Sequence, residues 1–283
     1  MVLDKEIGLY DATQFKMLKE TKNPLRDFII TDIIPDTFGE IFYLITSNGA
    51  LFESRMSEKK MAVLKKPLNM FVSQGAWNSN LNNLLLADDF YLFYYNPISG
   101  EEKGRIKMPA DITSLYVDTL NFKVYVGLSS GEIKILSQDL SQEINTLNVS
   151  KNSISAISKD PLDHYLFVGD YNGSIMTVDL LKEKTINTIE KHSGKVKLGD
   201  IYDRLAKRKF IVSSGYDKTI SVHETTNLEP NYRRIIEEIL GHRKNNFIKK
   251  GLNESAVAYD KRVTEVSIKT FSNETISSLV DSI

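Results

Sequence analysis

The sequence predicts an all-β chain built from a repeated unit of about four short strands. Three observations carry that prediction: a hairpin grammar used several times, a regular spacing between its uses, and apolar residues that alternate at period two. The grammar is an apolar run, a tight turn, then an alternating run. Val124-Tyr125-Val126-Gly127 leads through Ser129-Ser130-Gly131 to Ile133-Lys134-Ile135. Leu166-Phe167-Val168-Gly169 leads through Tyr171-Asn172-Gly173 to Ile175, and Phe210-Ile211-Val212-Ser213 leads through Tyr216-Asp217-Lys218 to Ile220. Gly, Asn and Asp at such turns accept the positive φ that a two-residue hairpin needs. The first apolar residues after the turns are Ile7, Leu51, Leu92, Ile133, Ile175, Ile220 and Val263, spaced by 41 to 45 residues. Units of that length, each too small to bury both faces alone, bury them by stacking in a ring, which is a β-propeller. Helical periodicity is not what the apolar residues follow.

Taken in order, the chain divides into a partial unit at 1–20 and units at about 21–64, 65–108, 109–149, 150–190, 191–240 and 241–283, about seven in a single domain spanning 1–283. Only six residues precede Ile7, so the first unit is expected to lack its two inner strands. One short helix is expected near 231–240, ahead of Gly241. The last unit is degenerate. A seven-bladed ring with a half-blade, closure by a terminal strand over 274–280, and an incomplete ring all fit the sequence.

These hairpins resemble the WD-repeat family over nearly the whole chain. The Trp-Asp pair of the family is replaced by Tyr10-Asp11, Val178-Asp179 and His223-Glu224, and its Gly-His pair survives as Gly241-His242, with a partial version at His192-Ser193-Gly194. The resemblance implies a buried hydrogen-bonded tetrad in the 191–240 unit: His192, Ser213 and Asp217 match three of its members, and His223 stands where the family has tryptophan. Within the family, residues 105–224 look most like adaptors that combine WD repeats with a FYVE domain. The matching runs are Met108-Pro109, Val126-Gly127-Leu128-Ser129-Ser130-Gly131 and Tyr165-Leu166-Phe167-Val168-Gly169-Asp170. A FYVE domain needs zinc-ligand cysteines, and this chain has none.

Composition narrows the chemistry. Thirty-six Lys and Arg against 37 Asp and Glu leave a formal charge of −1, so no global field draws in nucleic acid, which is not an expected partner. The absence of cysteine excludes disulfides, thiol catalysis and cysteine metal sites, and it fits a reducing, cytoplasmic setting. The longest uncharged stretch, 67–87, is rich in Asn, so no transmembrane segment is expected. No phosphate-cradling glycine loop, H-E-x-x-H or G-x-S-x-G occurs. The sequence therefore predicts neither a catalytic residue nor a cofactor nor a metal.

Two surfaces stand out as interaction candidates. From Lys191 to Lys250 there are 14 Lys and Arg and 7 Asp and Glu, with clusters at Lys207-Arg208-Lys209, Arg233-Arg234 and Arg243-Lys244. Tyr232-Arg233-Arg234-Ile235 resembles the Phe- or Leu-Arg-Arg-Gly of phosphoinositide-binding propellers, with Ile235 in place of the glycine. The other candidate is Trp77, the only tryptophan, placed in an Asn-rich segment read as joining two strands. The expected function is a non-catalytic scaffold or adaptor that binds protein partners. The alternative is a peripheral membrane adaptor of endosomal type that reads anionic phospholipid through the 191–250 face.

Overall fold

The computed structural model of the chain describes residues 2–3, 6–10, 17–22, 29–36, 40–55, 61–63, 71–159, 164–203 and 208–224. Their regular structure is entirely strand. A first sheet holds β1 (Val2–Leu3), β2 (Glu6–Tyr10) and β3 (Met17–Lys22). The second holds β4 (Ile30–Pro35), β5 (Ile41–Thr46), β6 (Leu51–Arg55) and β7 (Met61–Val63). The third holds β8 (Gln74–Asn78), β9 (Asn83–Asp88), β10 (Tyr91–Tyr95) and β11 (Glu102–Lys107). The fourth holds β12 (Ile112–Asp118), β13 (Lys123–Leu128), β14 (Glu132–Ser137) and β15 (Glu143–Asn148). The fifth holds β16 (Ile154–Lys159), β17 (Tyr165–Asp170), β18 (Ser174–Asp179) and β19 (Lys184–Glu190), and the sixth β20 (Val196–Asp203), β21 (Arg208–Gly215) and β22 (Ile220–Glu224).

Every sheet is antiparallel, and its strands lie side by side in chain order. The leading strands β4, β8, β12, β16 and β20 touch one another in succession, so five sheets pack as the blades of a β-propeller. Among the described residues the count is five, where about seven were expected of the whole chain. The mark used for counting falls on the third strand of a unit whether or not a whole blade surrounds it. The mark at Ile7 belongs to the first, three-stranded sheet, and the mark at Val263 lies outside the described residues. That first sheet also holds one strand more than expected, because the tight pairing of Val2 with Ile7 and Leu3 with Glu6 makes a short β1. The helix expected near 231–240 lies outside the described residues. Among those residues no helix is long and apolar enough to cross a membrane.

The middle strands bury both faces. In β9 and β10, Leu84, Leu86, Phe93 and Tyr95 pack towards the preceding blade, against Ile34, Tyr43, Ile45 and Leu51. Their neighbours Leu85, Ala87, Leu92 and Tyr94 pack towards the following blade, against Ile112, Val124 and Val126. The next interface repeats the pattern with Tyr125, Ile133 and Ile135 against Leu166, Val168 and Met176. A strand buried on two faces must be apolar at consecutive positions, which is why the run Tyr91–Tyr95 needs no ligand to explain it. Glycine sets how closely the blades approach. A Cβ on Gly127 would meet the Ile154 side chain of the next blade at 2.6 Å, and one on Gly169 would meet Val196 at 2.9 Å.

Candidate functional site

The hairpin turns between second and third strands, together with the segments that lead into each first strand, gather at one rim of the propeller. Asp170, at the end of β17, fastens one such junction. Its Oδ1 accepts the backbone N–H groups of Asn172 and Ser174, and its Oδ2 accepts Ser150 Oγ at 3.0 Å and Asn152 Nδ2 at 3.1 Å. The turn closes on Gly173 at φ 102°, where a Cβ would run into the carbonyl of His192. That same Gly173 carbonyl accepts the N–H groups of Lys191 and His192 and so delivers His192 into the next blade.

His192 is the hub of that blade. Its Nε2 lies 2.8 Å from Ser213 Oγ, and its Nδ1 lies 2.9 Å from Thr219 Oγ1 and 3.2 Å from Asp217 Oδ2. Ser213 Oγ is also 3.3 Å from His223 Nε2. Thr219 donates its hydroxyl to Asp217 at 2.7 Å, so towards His192 its oxygen accepts, and Nδ1 carries the proton. His192 Nε2 then accepts from Ser213, whose oxygen accepts from His223. Each polar side-chain atom of His192 and Ser213 thus has a partner. The Thr219 backbone N–H, with its hydroxyl and the Ser193 N–H, holds the Asp217 carboxyl well below the usual carboxylate range. Burial, with Lys191 and His192 nearby, keeps His223 below the ordinary histidine value.

The structure thus brings His192, Ser213, Asp217 and His223 together, and adds Thr219, which the sequence reading missed. Thr219 was findable: it stands two residues after Asp217, where a hydroxyl closes an Asx-type turn. Ser213, His192 and Asp217, the three residues matched to the family tetrad, also have the connectivity of a hydrolytic triad. The Ser213 hydroxyl, however, has no exposed surface and is held between two imidazoles. A nucleophile must reach its electrophile, and this one faces only its own blade. Among the described residues no group of three or more His, Asp or Glu is arranged to hold a metal ion.

Trp77 is not in a loop. It belongs to the leading strand β8, and its indole stacks on Tyr43 of the preceding blade, with centroids 5.6 Å apart and planes 16° apart. The loop placement is corrected accordingly: the Asn-rich segment that suggested a loop begins one residue later, and Trp77 is half-buried between blades. The turn itself is polar because Asn78 is buried. Asn78, Tyr94 and Gln138 form a closed set of hydrogen bonds, with Asn78 Nδ2 donating to Tyr94 Oη at 2.8 Å and Gln138 Nε2 donating to Asn78 Oδ1 at 2.6 Å. Of the basic clusters, Arg208 and Lys209 begin β21. Lys207, Arg233, Arg234, Arg243 and Lys244 lie outside the described residues.

The rim holds an open cavity of about 610 Å³ between the second, third and sixth sheets. Thr46, Ser47 and Gly49 border it from the β5–β6 turn, and Phe71 to Gln74 from the segment leading into β8. Lys195 and Lys197 border it from the start of β20, and Ser214 to Tyr216 from the β21–β22 turn. The His192 network supports the last of these walls, since Gly215 sits so close to the His192 ring that a Cβ there would meet it at 2.8 Å. Under the cavity, Asp32 Oδ1 accepts the Ile33 N–H and Oδ2 the Gly75 N–H. Burial pushes the Asp32 carboxyl up, against the opposing pull of Lys197. No protein-family model matches the chain, and no curated protein matches it in sequence.

Proposed function

We propose that this chain is a non-catalytic interaction platform, a propeller of WD-repeat kind that binds protein partners at its turn-bearing rim inside the cell. The observation that carries the reading is a contrast at that rim. Ser213 and His192 are buried and hydrogen-bonded on both sides, while the cavity beside them is open and bordered by exposed side chains. Propellers serve as rigid supports whose loops do the binding, and partner choice lives in those loops rather than in the fold. Affinity capture with a cleavable cross-linker, followed by identification of the linked residues, tests the proposal. A stoichiometric protein partner linked through rim residues is expected. Recovery of no partner, together with turnover of an ester or amide substrate that Ser213→Ala abolishes, would replace the platform with a hydrolase.

The charge skew of 191–250 supports a second reading, a peripheral adaptor on anionic phospholipid. Co-sedimentation with phosphatidylserine vesicles that weakens steeply with salt would favour it over a protein partner.

A further inference from the structure

We infer that the rim cavity is a binding site for an acidic peptide segment carrying an aromatic or large apolar anchor residue; the inference rests on the platform reading and names the chemistry of its partner. Four observations converge there. Its volume of about 610 Å³ lies within the range of pre-formed ligand sites, which suits one anchor side chain and its flanks. Two ammonium groups reach it from one strand start, Lys195 and Lys197. Neither makes an ion pair within 4.0 Å among the described residues. Lys195 instead rests on the Tyr171 ring, 4.9 Å from its centroid, which leaves its charge available at the rim. Two aromatic side chains flank the opening with most of their surface uncovered: Phe71 is 66% exposed and Tyr216 is 75% exposed.

The opposing charge is limited. Asp89 is the one carboxylate among the residues bordering the cavity, and both oxygens of the nearby Asp32 already accept backbone N–H groups. An entering carboxylate therefore meets two ammonium groups that are not held in an ion pair, with Asp32 and Asp89 as the acids that offset part of their field. The hydroxyls of Ser47 and Ser214 border the cavity as well, and those of Thr31 and Ser73, which donate to the Ile45 and Ala87 carbonyls, keep an oxygen that can accept from a peptide main chain. Aromatic anchors in a pocket with charge at its edge are the usual division of labour at an interface: burial of the anchor gives affinity, and charge gives selection and encounter rate. The wall that carries Tyr216 is fixed through Gly215 by the buried His192 chain, so the opening is pre-organised and little ordering is needed on binding.

The test is selection of a displayed random heptapeptide library on the immobilised full chain, repeated on Lys195→Glu/Lys197→Glu and on Tyr216→Ala. Neither lysine is in an ion pair, so the double variant should keep the wild-type circular dichroism and melt cooperatively, at a somewhat lower temperature because Lys195 no longer rests on Tyr171 and Lys197 no longer offsets Asp32. Wild type is expected to enrich peptides with two or more Asp or Glu beside Phe, Trp, Tyr or Leu. The double reversal should lose these peptides at least tenfold in affinity and enrich Lys- and Arg-bearing ones instead. Tyr216→Ala should weaken the selected peptides while preserving their acidic bias. No enrichment, enrichment without acidic bias, or acidic peptides that bind the double reversal equally well would each overturn the inference. Sedimentation with phosphatidylserine vesicles that needs Lys195 and Lys197, with no peptide selected, would overturn it in favour of a membrane. In any of these cases the platform reading survives if cross-linking still finds a stoichiometric protein partner at another surface, and falls if it does not.

Discussion

His192 shows at the scale of one residue how a polar group can hold a β-rich structure in place. Its ring is enclosed, and it joins the lead-in segment, the second strand and the following turn of its blade through Ser213, Asp217 and Thr219. His192→Ala leaves Ser213, Thr219 and Asp217 short of a partner, so it should destabilise the chain by about 1–3 kcal/mol, read from denaturant midpoints. A midpoint equal to wild type would contradict the structural role. The same cluster predicts a pH dependence. His223 is held below its ordinary value, so the folded state prefers the neutral ring; the stability this contributes is present above about pH 6.5 and is lost as pH falls below it. Asp217 is held low as well, so its contribution persists until pH falls below about 4. Melting temperature should therefore drop between pH 7 and 5, and His223→Gln, which keeps an N–H for Ser213, should flatten that drop while leaving the one below pH 4. An unchanged pH 7-to-5 drop in the variant would show that His223 is not its source.

Single elements were legible to the extent that one strand's own pattern determines them. Hairpins built on Asn172-Gly173 or Ser130-Gly131 announce their turns, and the consecutive apolar residues of β10, β13 and β17 announce burial on two faces. Contacts between elements were not legible from the residues themselves, and the His192, Ser213 and Asp217 grouping was reached only through the family resemblance. Trp77 read as a loop residue because Asn78 and the asparagines after it look like turn chemistry, whereas Asn78 is a buried strand end bonded to Tyr94 and Gln138. The ion pair of Lys159 with Asp118 was missed for the same reason. It is 3.1 Å long, with both side chains almost wholly buried, and it links the ends of two neighbouring leading strands, 41 residues apart in sequence. Nothing local marks a lysine as buried. Glycine, by contrast, leaves a measurable signature at this scale. Gly127→Ala forces a methyl group against Ile154 and Ser114 of adjoining strands, and it should cost about 1–3 kcal/mol by overpacking. A destabilisation under a few tenths of a kcal/mol in urea titration would mean that the blades are not in close contact there.

At the scale of the molecule, repetition made the architecture readable and also distorted its count. A period of 41–45 residues reports how often the hairpin grammar recurs, not how many complete sheets surround each hairpin. Among the described residues the result is five packed blades and a further three-stranded sheet. The rim cavity had no sequence signal, because its walls come from residues near 31, 47, 72, 195 and 215, brought together only by the ring. Lys195 and Lys197 did lie in the basic third, but Phe71 and Tyr216 became neighbours of that charge through the fold alone. The account's central claim is that partners are bound at this rim, above a buried and inert polar chain. Hydrogen–deuterium exchange of the chain with and without its captured partner tests that claim most directly. The account predicts slowed exchange concentrated in residues 71–74, 195–197 and 214–216, with the outer strands β11, β15 and β19 unchanged. Protection confined to those outer strands, with the rim exchanging as in the free chain, would contradict it.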